Sequence, residues 1–406
     1  MTVKKETLLQ QFITVRQATL AICSHIENED FVVQPSPEVS PPKWHLGHTS
    51  WLFEEVILKQ YKKDYAYFNP AFCVLFNSYY KAVGEHTIQS ERGNLSRPTV
   101  AEIMCYRAHI DAQMTALLTE GTVAEEALAL IETSIHHEQQ HQELLYMDIK
   151  YILAGNPLPT QYINTPLKKA AKPIQAWANF EEGIAEIGAD GEGFSYDNER
   201  PRHKHYLHPF SISQSLVTNG EFLAFLEDSG YTQSKLWLSQ GWGWVSKGKI
   251  THPFYWSLID GTWYEYTLHG LISLDLNKPL VHISYFEAAA FANWKQLRLP
   301  TEQELEVFLV ASKSKESEPS LHPTNAQTAS GQAWCWTSSQ YSPYPKFKAF
   351  DGVLNEYNGK FMCNQFVLRG GCIVTPKHHY RHSYRNFYAP EQRWMFSGIR
   401  LARDII

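Results

Sequence analysis

The sequence predicts an α-helical bundle over residues 1–157 and an α+β domain over residues 179–406, with a linker at 158–178 between them. Three observations predict this. Apolar residues in the first part recur at three- and four-residue steps, the period of an amphipathic helix. After Leu158 that period fades, and Gly, Trp, Tyr, Asn and Pro dominate, the composition of turns and short strands. The change falls at Ala154-Gly155-Asn156-Pro157, a strong helix stop.

Leu8, Phe12, Val15, Ala18 and Ile22 mark the apolar face of a first helix. A second covers Pro41 to Tyr61, with Ser40 as its N-cap and Pro41 at its first position. The third opens with a capping box, Thr99-x-x-Glu102, and turns Ile103, Tyr106, Ile110, Met114 and Leu117 to one side. The fourth opens with Thr122-x-x-Glu125 and runs to the stop at Gly155; its length allows a break near Thr133-Ser134. Four helices with one apolar face each make a bundle. Beyond the linker, helical segments are expected at Asn219–Ser229 and Ser284–Leu297. A third begins at the capping box Thr301-x-x-Glu304. The rest reads as short strands and long loops packed by aromatic rings, without internal repeats.

Composition narrows the function. The 406 residues carry a net charge of −6 with the two signs mixed, and no basic block suggests nucleic acid or an anionic membrane. Six cysteines form no CxxC pair, so reduced thiols and a cytoplasmic location are expected. The N-terminal MTVKKETLLQQF has two lysines but no apolar core after them, unlike a signal peptide. No stretch approaches the roughly eighteen uninterrupted apolar residues of a membrane span.

The most informative stretch is His136 to Glu143, HHEQQHQE. His137 and His141 stand four apart on the fourth helix, so both imidazoles can reach one metal ion. Glu143 lies about 200° around the helix from His141 and points away from that ion. A pair is half a site. The second helix supplies a third candidate, since Trp44-His45-Leu46-Gly47-His48 carries two histidines three apart. Only one of them need bind; the other can hydrogen-bond nearby or line a cavity. Three imidazoles suit zinc as well as iron.

Several motifs together carry a family resemblance. They are Leu75-Phe76-Asn77-Ser78-Tyr79-Tyr80, Leu95-Ser96-Arg97-Pro98-Thr99, Arg298-Leu299-Pro300-Thr301-Glu302 and Trp334-Cys335-Trp336-Thr337. Val367-Leu368-Arg369-Gly370-Gly371, Tyr384-Arg385-Asn386-Phe387 and the terminal Gly398-Ile399-Arg400-Leu401-Ala402-Arg403 complete the set. The first part resembles a DinB-like metal-binding bundle. The second resembles the formylglycine-generating-enzyme (sulfatase-modifying factor) fold, a C-type-lectin-like arrangement. Both in this order are similar to the ergothioneine-biosynthesis sulfoxide synthases of the EgtB type.

The resemblance implies a mononuclear non-haem Fe(2+) held by His48, His137 and His141. It implies that a thiol sulfur is joined to C2 of the imidazole of hercynine and oxidised to a sulfoxide with O2. Tyr79 and Tyr80 are implied as phenols at the active site, able to supply a proton. Gln140, on nearly the same helix face as His137, is implied as a hydrogen-bond partner of the substrate imidazole. Asn386 and Phe387 are implied at the betaine end of hercynine, where a quaternary ammonium needs aromatic faces and dipoles. Arg92 and Arg97 are candidates to clamp a carboxylate of the thiol. The stretch Gly84–Ser90 is poorer in arginine than in the family, which leaves the thiol open among cysteine, γ-glutamylcysteine and another sulfur or selenium donor.

Other readings exist. A DinB-type metal-dependent thiol transferase explains the histidines but not the second domain. A formylglycine-generating enzyme needs a close cysteine pair, and Cys363 and Cys372 are nine apart. A lectin-like binding module on a structural metal bundle would need a closed site with no exchangeable position.

Overall fold

The structure, a computed structural model, describes residues 2–120, 123–158, 160–312 and 320–405. The chain forms a helical bundle followed by a sheet-containing domain, in two compact units. The first unit takes residues 1–162 with two later segments, Phe350–Tyr357 and Pro376–His379; the second takes the remainder.

In the first unit, α1 (Thr2–Cys23) and α2 (Pro42–Phe53) both pack against α5 (Val100–Glu120) and α6 (Glu125–Ala154). Between α2 and α5 stand two short helices, α3 (Lys59–Tyr61) and α4 (Phe72–Leu75). The buried face of α1 follows the expected spacing at Leu8, Phe12, Val15 and Ile22. Ala18 is exposed, however, and Arg16 and Thr19 take the inward positions, because both bind buried Glu138. Helix α2 starts one residue later than expected, with Pro41 as N-cap. Ser40 is otherwise engaged: its hydroxyl accepts from Arg92 and its N–H donates to Asp148. After Phe53 the helix widens into a π-turn at Glu54–Leu58 before α3.

The capping box on α5 is formed: the Thr99 and Glu102 backbone N–H groups each donate to the other residue's side chain. On α6 the N-cap is Ala124, and Thr122 lies outside the described residues. No break occurs at Thr133-Ser134. Their hydroxyls donate to Ala129 and Leu130 carbonyls one turn back, so the helix runs unbroken for 30 residues.

The second unit is built from short strands. β1 (Trp177–Phe180), β4 (Phe210–Ser213) and β12 (Ala402–Asp404) form one antiparallel sheet, and β2 (Gly183–Ile187) pairs with β3 (His203–Leu207). β5 (Trp256–Ile259), β6 (Thr262–Thr267) and β7 (Gly270–Ser273) make a meander. β8 (Trp334–Gln340), β9 (Phe366–Arg369), β10 (Asn386–Tyr388) and β11 (Ser397–Gly398) make a sheet in the order β10-β9-β8-β11. The expected helices are α7 (Asn219–Glu227), α9 (Tyr285–Trp294) and α10 (Glu302–Ala311), each opened by a capping box. A further helix, α8 (Ser239–Gly248), was not foreseen, because its two internal glycines read as a loop. One of them is a packing requirement: a Cβ on Gly241 would sit 3.0 Å from the Phe286 ring.

Among the described residues no helix is long and apolar enough to cross a membrane.

Candidate metal centre in the bundle

Helices α2 and α6 bring His48, His137 and His141 together. One nitrogen from each lies within 4.8 Å of the others, the one such group of histidines, cysteines and carboxylates among the described residues. His48 and His137 are buried, and His141 keeps partial exposure, which leaves the cluster an open side. Glu143 is buried elsewhere on α6 and is not part of the group.

Each imidazole is backed differently. His48 donates Nδ1–H to the Phe76 carbonyl at 2.7 Å, which leaves a lone pair on Nε2. That carbonyl is close because residue 47 is glycine: a Cβ there would lie 2.3 Å from the Phe76 ring. His141 faces His45, ring nitrogen to ring nitrogen, at 2.8 Å. The buried Nδ1 of His137 has no hydrogen-bond partner among the described residues. The His48 ring is sandwiched between Trp44, at 4.5 Å, and Trp51, at 5.4 Å between ring centroids.

The group fits a metal ion. His48 Nε2 and His137 Nε2 are 3.2 Å apart. Two nitrogens about 2.1 Å from one ion, at a near-tetrahedral angle, would be separated by about 3.2–3.4 Å. Burial pushes the His48 and His141 imidazoles well below their ordinary range, and neighbouring imidazoles add to the shift. Burial also holds His137 down at about 3. All three are therefore neutral near pH 7, the form that binds metal.

One phenol adjoins His137, and a stacked phenol pair packs on Trp51. Tyr79 and Tyr80 stack on each other at 4.7 Å, and Tyr80 packs on Trp51 at 5.7 Å. Asn77 holds this pair, accepting from the Tyr80 N–H and donating to the Tyr80 carbonyl. A third phenol, Tyr357, was missed by sequence reasoning. Its ring lies 5.8 Å from His137, and its hydroxyl donates to Gln140 Oε1 at 2.8 Å. Tyr79 in turn donates to the Tyr357 carbonyl at 3.4 Å. No local signal marks Tyr357, which stands more than 200 residues beyond His141.

Arg92 is buried with its guanidinium 3.3 Å from the Trp44 ring centre, and burial pulls its pKa down to about 9. Arg97 is exposed and donates to the Ser96 carbonyl. Asn386 and Phe387 belong to the second unit, on β10. There Asn386 accepts from the Phe387 N–H, and the Phe387 ring stacks on Tyr341 at 4.0 Å.

A helical bundle with three convergent imidazoles that could hold a metal ion, followed by a mixed-sheet domain, defines the class of this two-unit chain. Residues 164–320 and 324–405 match the model of the sulfatase-modifying factor enzyme 1-like domain, and the chain belongs to that family. Residues 11–145 match the DinB superfamily. The chain is 29% identical to the hercynine oxygenase of Mycolicibacterium smegmatis, over 99% of this chain and 100% of that protein. It is 28% identical to the hercynine oxygenase of Mycobacterium tuberculosis, over 98% and 99% of the two chains. It is also 28% identical to ergothioneine biosynthesis protein 1 of Schizosaccharomyces pombe, over 62% of this chain and 32% of that one.

Proposed function

We propose that this protein is an iron-dependent sulfoxide synthase of ergothioneine biosynthesis. It joins C2 of the hercynine imidazole to the sulfur of a cysteine-type thiol and oxygenates that sulfur with O2. The observation that carries the reading is the three-histidine cluster, in a chain similar to hercynine oxygenases over nearly the whole length of both.

His48, His137 and His141 hold the iron. When bound, Fe(II) supplies redox chemistry with O2 and Lewis acidity toward the thiol. The protein supplies placement and protons. Gln140 accepts from Tyr357, so its amide nitrogen is left to donate to a nitrogen of the substrate imidazole. Tyr357 joins Tyr79 and Tyr80 as a phenol at the site. It is the proton source of the three, since its ring adjoins His137 and its hydroxyl is held by the residue that receives the substrate. Arg92 is a buried cation, influenced by the Asp148 carboxylate, and suits the carboxylate of the thiol.

The test is aerobic incubation of Fe(II)-loaded protein with hercynine and a panel of thiols, cysteine and γ-glutamylcysteine included, read by mass spectrometry. A hercynyl sulfoxide is expected with one of them, and none without O2. No hercynyl product in air, with transfer of the thiol to an added electrophile equally fast without O2, would instead mark a thiol transferase.

A further inference from the structure

Behind the cluster lies a hydrogen-bonded chain that the ligand assignment does not use. His45 Nδ1 is 2.8 Å from His141 Nδ1, and His45 Nε2 is 2.9 Å from Asp148 Oδ2. Asp148 Oδ2 also accepts the Ser40 backbone N–H at 2.9 Å. His45 and Asp148 are both buried. Asp148 follows His141 by seven residues on α6, two turns on, so the two share a face.

The protons in this chain are set by its far end. An ionised carboxylate only accepts, so His45 donates Nε2–H to Asp148. A neutral His45 then carries a lone pair on Nδ1. The nitrogen facing it must donate, so His141 carries its proton on Nδ1. Its Nε2 is left with the lone pair a metal needs. We infer that His45 and Asp148 are positioning residues for the metal centre, fixing the tautomer and ring plane of His141 through an Asp148–His45–His141 relay. This extends by one imidazole the carboxylate–histidine pairing common behind metal-bound histidines. His48 is oriented by the Phe76 backbone carbonyl, not by a side-chain partner. His141 depends on two replaceable side chains. The inference rests on His141 being a metal ligand, as proposed above.

The test uses the full chain, stripped of metal and titrated with Zn(II) or Co(II) against a chelator. Wild type should bind one ion, and His141→Ala should lose most of that affinity. His45→Phe keeps a ring but offers no acceptor, and should weaken binding by about 10–100-fold. His45→Gln can accept from His141 and donate to Asp148, and should restore most of the loss. Asp148→Asn should fall between wild type and His45→Phe. A purely structural role predicts no rescue by Gln beyond that given by recovered thermal stability. A second readout needs no variant: imidazole nitrogen NMR of the Zn(II) form should show His141 protonated at Nδ1. His141 protonated at Nε2, or wild-type affinity in His45→Phe, overturns the relay. Absence of metal binding in wild type overturns the ligand assignment itself.

Discussion

Each unit buries a glutamate between two arginines, but the two networks serve different surroundings. In the bundle, Glu138 of α6 accepts from Arg16 of α1, Arg107 of α5 and Thr19. In the second unit, Glu302 at the start of α10 accepts from Arg369 of β9, from Arg385 and from Tyr344. Burial alone would raise either carboxyl. The arginines overcome it, taking Glu138 down to about 2 and Glu302 below its usual range. The difference lies in the neighbour. Glu138 immediately follows His137, so one turn of α6 shows imidazole on one side and the arginine pair on another. Among the described residues Glu302 belongs to no group that could hold a metal ion; its neighbour Glu306 shares Arg369 at 2.7 Å. A buried ion network beside the three-histidine group fixes the helix that carries two of those histidines. The same device in the second unit ties the start of α10 to β9 and to Arg385.

Adjacent substitutions on α6 should break this comparison most sharply. His137→Ala should abolish iron binding and turnover while leaving the metal-free protein nearly as stable as wild type. Glu138→Ala should do the reverse, because two arginines lose their shared carboxylate. A cost of about 3–5 kcal/mol is expected, with metal binding kept in whatever fraction remains folded. Metal analysis and urea denaturation of the two variants measure both. If Glu138→Ala releases metal without loss of stability, the two faces of α6 are not independent.

Acid should reveal the same network. The Glu138 carboxyl is depressed when folded, so its contribution is present above the unfolded pKa of about 4.3 and is lost as pH falls toward 2. The drop is worth about 3 kcal/mol, at about 1.4 kcal/mol per unit. Glu302 acts in the same direction and adds to the decline. Denaturation from pH 6 to 2.5 should show wild type losing stability more steeply than Glu138→Gln. Parallel curves would remove Glu138 from the acid response.

Sequence legibility also differs between the two regions. Helix period and capping boxes marked most of the bundle, and the four-residue spacing of His137 and His141 marked the centre. The first error there was Ala18 on the α1 face. A polar pair, Arg16 and Thr19, points inward only because Glu138 is opposite, and that is a tertiary fact. The spacing alone left His45 and His48 open; the family resemblance pointed to His48, which lies in the three-histidine group. Asp148 was a missed clue, two turns beyond His141. In the second unit the motifs were recognisable long before their role was. Glu302, Arg369 and Arg385 sit in three separate family markers, and their shared purpose is one buried ion network. Helix α8 was hidden by two glycines, of which Gly241 packs closely on Phe286, and Tyr357 by its distance along the chain.

Smaller effects should separate phenol chemistry from packing. Tyr357→Phe keeps the ring against His137 and removes the hydroxyl on Gln140. Sulfoxide formation should slow by about 100-fold, within the range for a lost acid–base group, with unchanged iron content. Product profiles and iron analysis give the answer; an unchanged rate would leave Tyr357 as a packing residue. In the second unit, Glu302→Gln should cost about 2 kcal/mol, less than loss of Glu138. Glu306 still pairs with Arg369 there, and the amide still accepts hydrogen bonds. Equal costs for the two glutamates would mean that Glu306 does not share the load.

The smallest effect should come from Tyr79→Phe. Its hydroxyl donates to the Tyr357 carbonyl at 3.4 Å, a long bond worth less than about 1 kcal/mol. If Tyr79 acts by steadying Tyr357, its loss should lower turnover by no more than about fivefold, below what 1 kcal/mol allows. Iron content should not change. The double variant with Tyr357→Phe should then be no slower than Tyr357→Phe alone, since the group being steadied has already lost its proton. Contacting residues that act through one another are non-additive in this way. If instead the two losses multiply, Tyr79 delivers a proton by its own route. The imidazole side of α6 would then be served by two phenols rather than one.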